Sequence, residues 1–208
     1  MMKNKFLFAA MLFVALSFGF VSCDNEPVVS DYNGYGYVDL GLSVKWATCN
    51  VGAGSPEDYG DYFAWGETKP KLSYTEENYT YTDNPETLSS IRDAASVNMG
   101  GSWRMPTKGE WMELQEECTW EWKQSYKGTT AGYLVTSKAN GNSIFFPAAG
   151  YRGNSGLDGA GSLGDYWSSS LDAYNSDGAY GLHFSSGSVS WGSDYRYFGE
   201  SVRGVFSK

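Results

Sequence analysis

Between Gly164 and Gly199 the chain is written mostly in five letters: Ser, Tyr, Gly, Asn and Asp fill 25 of the 36 positions, and Lys is absent. Gly, Asn and Asp are the residues that tight turns require. Apolar and polar residues alternate around Leu182-His183-Phe184 and Val189-Ser190-Trp191, so the segment is expected to fold as short strands joined by turns. Two readings of it stay open on composition. It is a turn-rich β region and nothing more, or it is a recognition surface. Tyr offers a large amphipathic contact area with few rotors to freeze, and short polar residues supply adaptable hydrogen bonds. Catalysis needs titratable groups held side by side, and this stretch has one His and no Cys.

The front of the chain reads as a targeting signal. Lys3 and Lys5 precede an apolar run from Phe6 to Val21, and FVSC places Ser22 before Cys23. A short basic region followed by an apolar stretch and a small residue is the pattern of a secretory signal. The Ser22-Cys23 junction is similar to a bacterial lipobox, which implies acylation of Cys23; ordinary cleavage nearby is the alternative. Acyl chains anchor in proportion to their buried methylenes, at about 0.8 kcal/mol each. The expected layout is a signal over 1–22, a polar tether over 23–36 and one domain over 37–208. Net charge is −9, which argues against nucleic acid and against electrostatic attachment to anionic lipid. In an exported chain the remaining pair, Cys49 and Cys118, is expected to form a disulfide, with two buried free thiols as the alternative.

Along the domain, Tyr37 to Ala47 reads as a hairpin or pair of short strands. A helix is expected from Asn84-Pro85, with Leu88, Ile91, Ala94 and Ala95 on one face, to Gly100-Gly101. A second is marked by a capping box, Thr107 with Glu110, ahead of Trp111, Leu114, Gln115 and Cys118. Beyond Cys118 the period turns to alternation, with a two-residue turn at Asn140-Gly141. The class is α+β: two helices, short antiparallel strands and long Gly-rich loops. Aromatic residues, 17% of the chain, supply core to so loopy a sequence.

Seven blocks carry a resemblance: WATCNVGA (46–53), AWGET (64–68), GGSWRMPTKGEW (100–111), CTWEW (118–122), NGNSIFFPAAGYR (140–152), YWSSS (166–170) and SVRGV (201–205). In that order they resemble the Fibrobacter succinogenes major paralogous domain, found in exported lipoproteins of Bacteroides-type bacteria. The resemblance covers about 37–206. It implies a C-type-lectin-like fold of the formylglycine-generating-enzyme branch, in which SVRGV pairs near YVDLGLSVKWA. It also implies a ligand site on the C-terminal loops, an argument from fold alone.

The enzymatic branches of that fold do not fit. No Cys follows Cys118, whereas formylglycine-generating enzymes use a pair near the C-terminus, and His183 is the only His, too few for the iron-dependent sulfoxide synthases. No nucleophile-elbow motif surrounds any Ser. The EPN, QPD and WND motifs of calcium-dependent lectins are absent. Asp58, Asp61, Asp158 and Asp165 lie in Gly-rich loops where a structural calcium is possible, although solvated loop carboxylates are the simpler reading; no metal ligand set is assigned. His183 itself reads as a packed or half-exposed structural residue. Arg104 and Arg203 are expected to bond within the fold, and Trp167 to anchor the last loop.

The function expected is that of a non-catalytic outer-membrane lipoprotein on the cell surface, binding an extracellular glycan or protein. Tyr174, Tyr180, Trp191, Tyr195, Arg196 and Tyr197 are the expected contacts. The alternative is a structural or accessory subunit of an outer-membrane or appendage complex.

Overall fold

A computed structural model describes residues 29–154 and 156–207; the signal segment and Cys23 lie outside the described residues. The first and last described strands share the first sheet, ordered β1 (Ser30–Tyr32), β2 (Tyr35–Val38), β3 (Val44–Asn50) and β14 (Arg203–Ser207). β14 runs antiparallel to β3, with Val205 opposite Trp46, so SVRGV does pair beside VKWATCN. Part of the expected tether belongs to this sheet. Ser30–Tyr32 pairs with β2, and Tyr32 stacks on Phe206 and packs on Trp103. An aromatic ring with a slot to fill is held in place, so the ordered fold starts earlier than residue 37.

The second sheet is ordered β12 (Ser188–Tyr195), β11 (Gly178–Ser185), β10 (Leu163–Leu171), β13 (Glu200–Ser201) and β4 (Tyr62–Phe63). All its pairings are antiparallel except β10 with β13. The third sheet is the meander β5 (Cys118–Tyr126), β6 (Thr130–Ser137) and β7 (Ser143–Pro147), and β8 (Tyr151–Gly153) pairs with β9 (Gly156–Asp158) as a ribbon. Two α-helices, α1 (Ala94–Met99) and α2 (Lys108–Glu117), and one 3-10 turn, Glu76–Asn78, complete the described elements. The molecule is α+β and rich in sheet, as its sequence period indicates.

Adjacent residues of a strand point to opposite faces, and the YWSSS block uses this to serve two cores at once. Tyr166 is buried with Trp46, Trp111 and Phe146 on one side. Trp167 is buried with Phe63, Trp65 and Trp103 on the other. The Trp167 indole donates to the Phe63 carbonyl at 2.8 Å, and the Trp65 indole to that of Ser168 at 2.9 Å. Ser168 Oγ reaches the Tyr180 carbonyl at 2.6 Å, and Ser170 Oγ accepts the Lys108 N–H at the start of α2. YWSSS is therefore framework.

The capping box at α2 forms as expected. Thr107 Oγ1 accepts the Glu110 N–H while the Glu110 carboxylate accepts the Thr107 N–H. The expected first helix is much shorter than its periodicity suggests. Residues 86–88 are instead tied to the end of β10, with Leu88 N–H donating to the Ser169 carbonyl and Leu171 N–H to that of Glu86. Asn84 is taken up by Arg196, and the true cap is Asp93, whose carboxylate accepts the Ser96 and Met105 N–H groups, each at 2.8 Å. Ile91, counted to the apolar face, is 76% exposed.

The expected disulfide is also corrected. Both thiols are free: Cys118 is buried in the core that holds Trp46, and Cys49 is half-buried. Cys49 alternates with Trp46 along β3 and sits with Ala47 and Met99 in a depression on the opposite side. Burial pushes the Cys118 thiol up to about 11, which keeps it protonated and inert.

Candidate functional site

Arg196 organises a cleft between the 79–84 loop and the 176–197 segment. It is 4% exposed, and all five of its N–H groups are used. Nε donates to the Tyr79 hydroxyl (2.9 Å), Nη1 to Asn84 Oδ1 (2.8 Å) and the Ser176 carbonyl (3.0 Å), and Nη2 to the Tyr81 and Asp83 carbonyls (both 2.8 Å). Its plane stacks 4.9 Å from the Trp65 ring centroid. Such a fork clips the 79–84 loop to the 176–196 segment. Arg196 was expected as an exposed ligand contact; buried and fully partnered, it is a strut with no donor left to offer.

What the strut props open is a cleft of about 470 Å3, with Tyr79, Tyr81, Tyr195 and Tyr197 among its walls and Glu76, Asn84 and Asp177 at its polar positions. Tyr195 is 52% exposed and stacks on Tyr197, with centroids 5.4 Å apart and planes 14° from parallel. Phe198 meets both rings edge-on. The Tyr79 hydroxyl donates to the Trp65 carbonyl at 2.7 Å, and burial drives its pKa well above the usual tyrosine value. The cleft thus combines stacked aromatic faces with short polar groups.

The other expected contacts go elsewhere. Tyr180 and Trp191 clamp the Lys108 ammonium, which lies 3.7 and 3.8 Å from their ring centroids. These two cation–π contacts, from rings 74° apart, hold a lysine in the first turn of α2, where the helix dipole disfavours it. Tyr174 is 96% exposed in the turn after β10. Of the six expected residues, Tyr195 and Tyr197 share the cleft over the buried Arg196; Tyr174, Tyr180 and Trp191 are not among its lining.

A second constellation lies on the face of the second sheet that also carries Trp167. Asp165 and His183 are direct partners across β10 and β11. His183 Nδ1 is 3.0 Å from Asp165 Oδ1 and 3.4 Å from Asp194 Oδ2, on β12. The imidazole reaches along the sheet because Gly181 and Gly192, paired with each other, leave the space empty. A Cβ on Gly192 would stand 3.1 Å from His183 Cδ2, and one on Gly181 would stand 3.5 Å from Cε1 and 3.2 Å from Glu200 Oε2. Glu200, on β13, is 0% exposed and neither carboxylate oxygen has a hydrogen-bond partner; Asp165 Oδ2 and His183 Nε2 are likewise buried and unpartnered.

Electrostatics in this group run against the usual values. Burial, reinforced by the charges of Asp194 and Asp165, raises the Glu200 carboxyl well above the carboxylate range. Burial opposes a charged His183, but the Asp165 hydrogen bond and the charges of Asp194 and Asp165 outweigh it, so the imidazole pKa is raised. Among the described residues Asp165, His183 and Asp194 are the His, Cys, Asp or Glu donors gathered within reach of one ion, all within 4.8 Å of one another; Glu200 stands beside that trio. Asp58, Asp61 and Asp158 do not join Asp165 in it; Asp58 instead accepts the Ser55 N–H in its own turn. Sequence reasoning missed the cluster because its members stand far apart in the chain and meet only by strand register. The signal available was a Gly two residues before a titratable side chain, on the same strand face, in Gly181-Leu182-His183 and Gly192-Ser193-Asp194.

No protein-family model matches the chain, and no curated protein or solved structure matches it.

Proposed function

We propose that this chain is a non-catalytic, lipid-anchored surface protein of the major-paralogous-domain type, with a C-type-lectin-like fold, and that it binds a short extracellular glycan in the Tyr79–Tyr81–Tyr195–Tyr197 cleft. The observation that carries the reading is the cleft itself: about 470 Å3, within the range of roughly 300–1,000 Å3 typical of small-ligand sites. A protein epitope needs about 800 Å2 per partner, so a protein ligand would have to spread well beyond the cleft walls, whereas a short glycan fits within them. Stacked tyrosines suit the apolar faces of sugar rings, and Glu76, Asn84 and Asp177 suit their hydroxyls. The five-bond Arg196 strut supports a preformed site, which lowers the ordering cost of binding. The meeting of β14 with β3, with α2 packed beneath the sheets, supports the family reading.

The test is a glycan array probed with the purified full chain, followed by titration of any hit. Replacing Tyr195 and Tyr197 together by Ala is expected to weaken binding by about 30-fold or more, as for a paired hot spot, while the unfolding midpoint stays near that of the wild type. Trp191→Ala is expected to leave affinity unchanged. An array without a hit, or a hit insensitive to the double substitution, overturns the assignment. Capture of one stoichiometric protein from solubilised envelope would favour an accessory-subunit role instead.

A further inference from the structure

We propose that Asp165, His183 and Asp194, with the buried Glu200 beside them as a fourth carboxylate, form a binding site for a divalent first-row transition metal, zinc being the best fit. The inference is independent of the glycan reading. Each of four neighbouring strands contributes one donor to the same face: Asp194 from β12, His183 from β11, Asp165 from β10 and Glu200 from β13. Zinc takes imidazole nitrogen and carboxylate oxygen at about 2.0–2.2 Å in tetrahedral sites, so its ligand atoms stand about 3.3 Å apart. The separations of His183 Nδ1 from Asp165 Oδ1 (3.0 Å) and from Asp194 Oδ2 (3.4 Å) lie on either side of that spacing.

The second, independent observation is Glu200. Glu200 has no exposure and neither oxygen meets a donor in good hydrogen-bond geometry; the neighbour within its reach is a second carboxyl, Asp194, so the pair needs a cation or a proton between them. Glu200 is aimed at the same space as the imidazole, since both crowd the point where a Gly181 side chain would begin. The glycine pair Gly181–Gly192 keeps that space open. An imidazole in the set selects against magnesium and calcium, which prefer oxygen alone, and the absence of thiolate selects against copper(I). Asp194, the most exposed of the Asp165–His183–Asp194 trio, gives the ion its way in. An ion here would bind β12 to its neighbours one residue before Tyr195 and so brace that wall of the cleft.

Equilibrium dialysis and calorimetry of the purified full chain against Zn2+, Mn2+ and Ca2+ test the site, with Co2+ as a coordination probe. One equivalent of Zn2+ is expected to bind and to raise the unfolding midpoint, and Co2+ is expected to give the intense visible bands of four-coordination. Asp194→Asn and His183→Gln are each expected to weaken Zn2+ roughly a hundredfold, since loss of an outer-shell partner alone costs about 10–100-fold. Glu200→Gln keeps the volume and is expected to abolish the zinc-induced rise in midpoint. Should a ligand variant fail to fold, the wild-type Co2+ spectrum and stoichiometry still decide. No binding of Zn2+ or Mn2+ at millimolar concentration overturns the proposal; the cluster then holds only a proton shared between Glu200 and Asp194. A preference for Ca2+, or zinc binding indifferent to all three substitutions, overturns it equally.

Discussion

Two arginines show how one side-chain chemistry settles two different problems. Arg203 has no exposure, donates to Asn50 Oδ1 and to the carbonyls of Ala47, Thr48 and Phe145 at 2.8–3.0 Å, and stacks on Phe146. The Ala47 and Thr48 carbonyls lie on β3, where β14 slips its register between Arg203 and Val205, and the Phe145 carbonyl lies on the edge strand β7. A guanidinium spans several acceptors from one fixed plane, which an ammonium does not. Arg203→Lys is therefore expected to lower stability by about 3 kcal/mol, the scale of buried acceptors left unpaired, read as a shift in urea midpoint at unchanged slope. The block SVRGV makes Arg203 legible as framework, because a cation between apolar residues must bond internally. Arg196 was not legible in the same way. It sits among Tyr, Ser and Asp in a stretch that reads as contact surface, and only the return of the 79–84 loop buries it.

At the scale of elements, α2 and α1 mark the reach and the limit of local signals. The α2 cap is written in adjacent residues, so Thr107 and Glu110 announce it. Arg104 adds to it, gripping the Glu110 carboxylate with two N–H bonds of 2.8 and 2.5 Å. Burial works against the Glu110 charge, but the Arg104 fork and the Thr107 N–H outweigh it and hold its pKa below the ordinary value. A carboxylate with a lowered folded pKa stabilises above its unfolded pKa, and that contribution is lost as pH falls through the folded one. Glu110→Gln is accordingly expected to cost about 2 kcal/mol at neutral pH. In urea titrations its gap to the wild type should close as pH falls from 7 toward 3; a gap independent of pH would show that the charge is not the source. Helix α1 was over-read because residues 84–92 have helical spacing but spend their polar groups on β10 and Arg196 instead. Tertiary hydrogen bonds there outweigh a weak local preference.

For the molecule as a whole, two aromatic cores share β10 between them, and no covalent link among the described residues ties the sheets together. A Cys49–Cys118 bridge would close a long loop and contribute about 4 kcal/mol. With both thiols free, reductant is expected to leave the thermal midpoint unshifted, and Cys118 to react with a thiol probe only after unfolding. A midpoint lowered by reductant would restore the disulfide. The α+β class, the α2 cap and the early hairpin were determined by the sequence alone, because each rests on periodicity or on residues close in the chain. Tertiary structure alone decided which tyrosines line the cleft, the burial of Arg196, the separation of the two cysteines and the gathering of Asp165, His183, Asp194 and Glu200. Each of these depends on strand register between distant segments, where a shift of one residue turns a side chain to the other face.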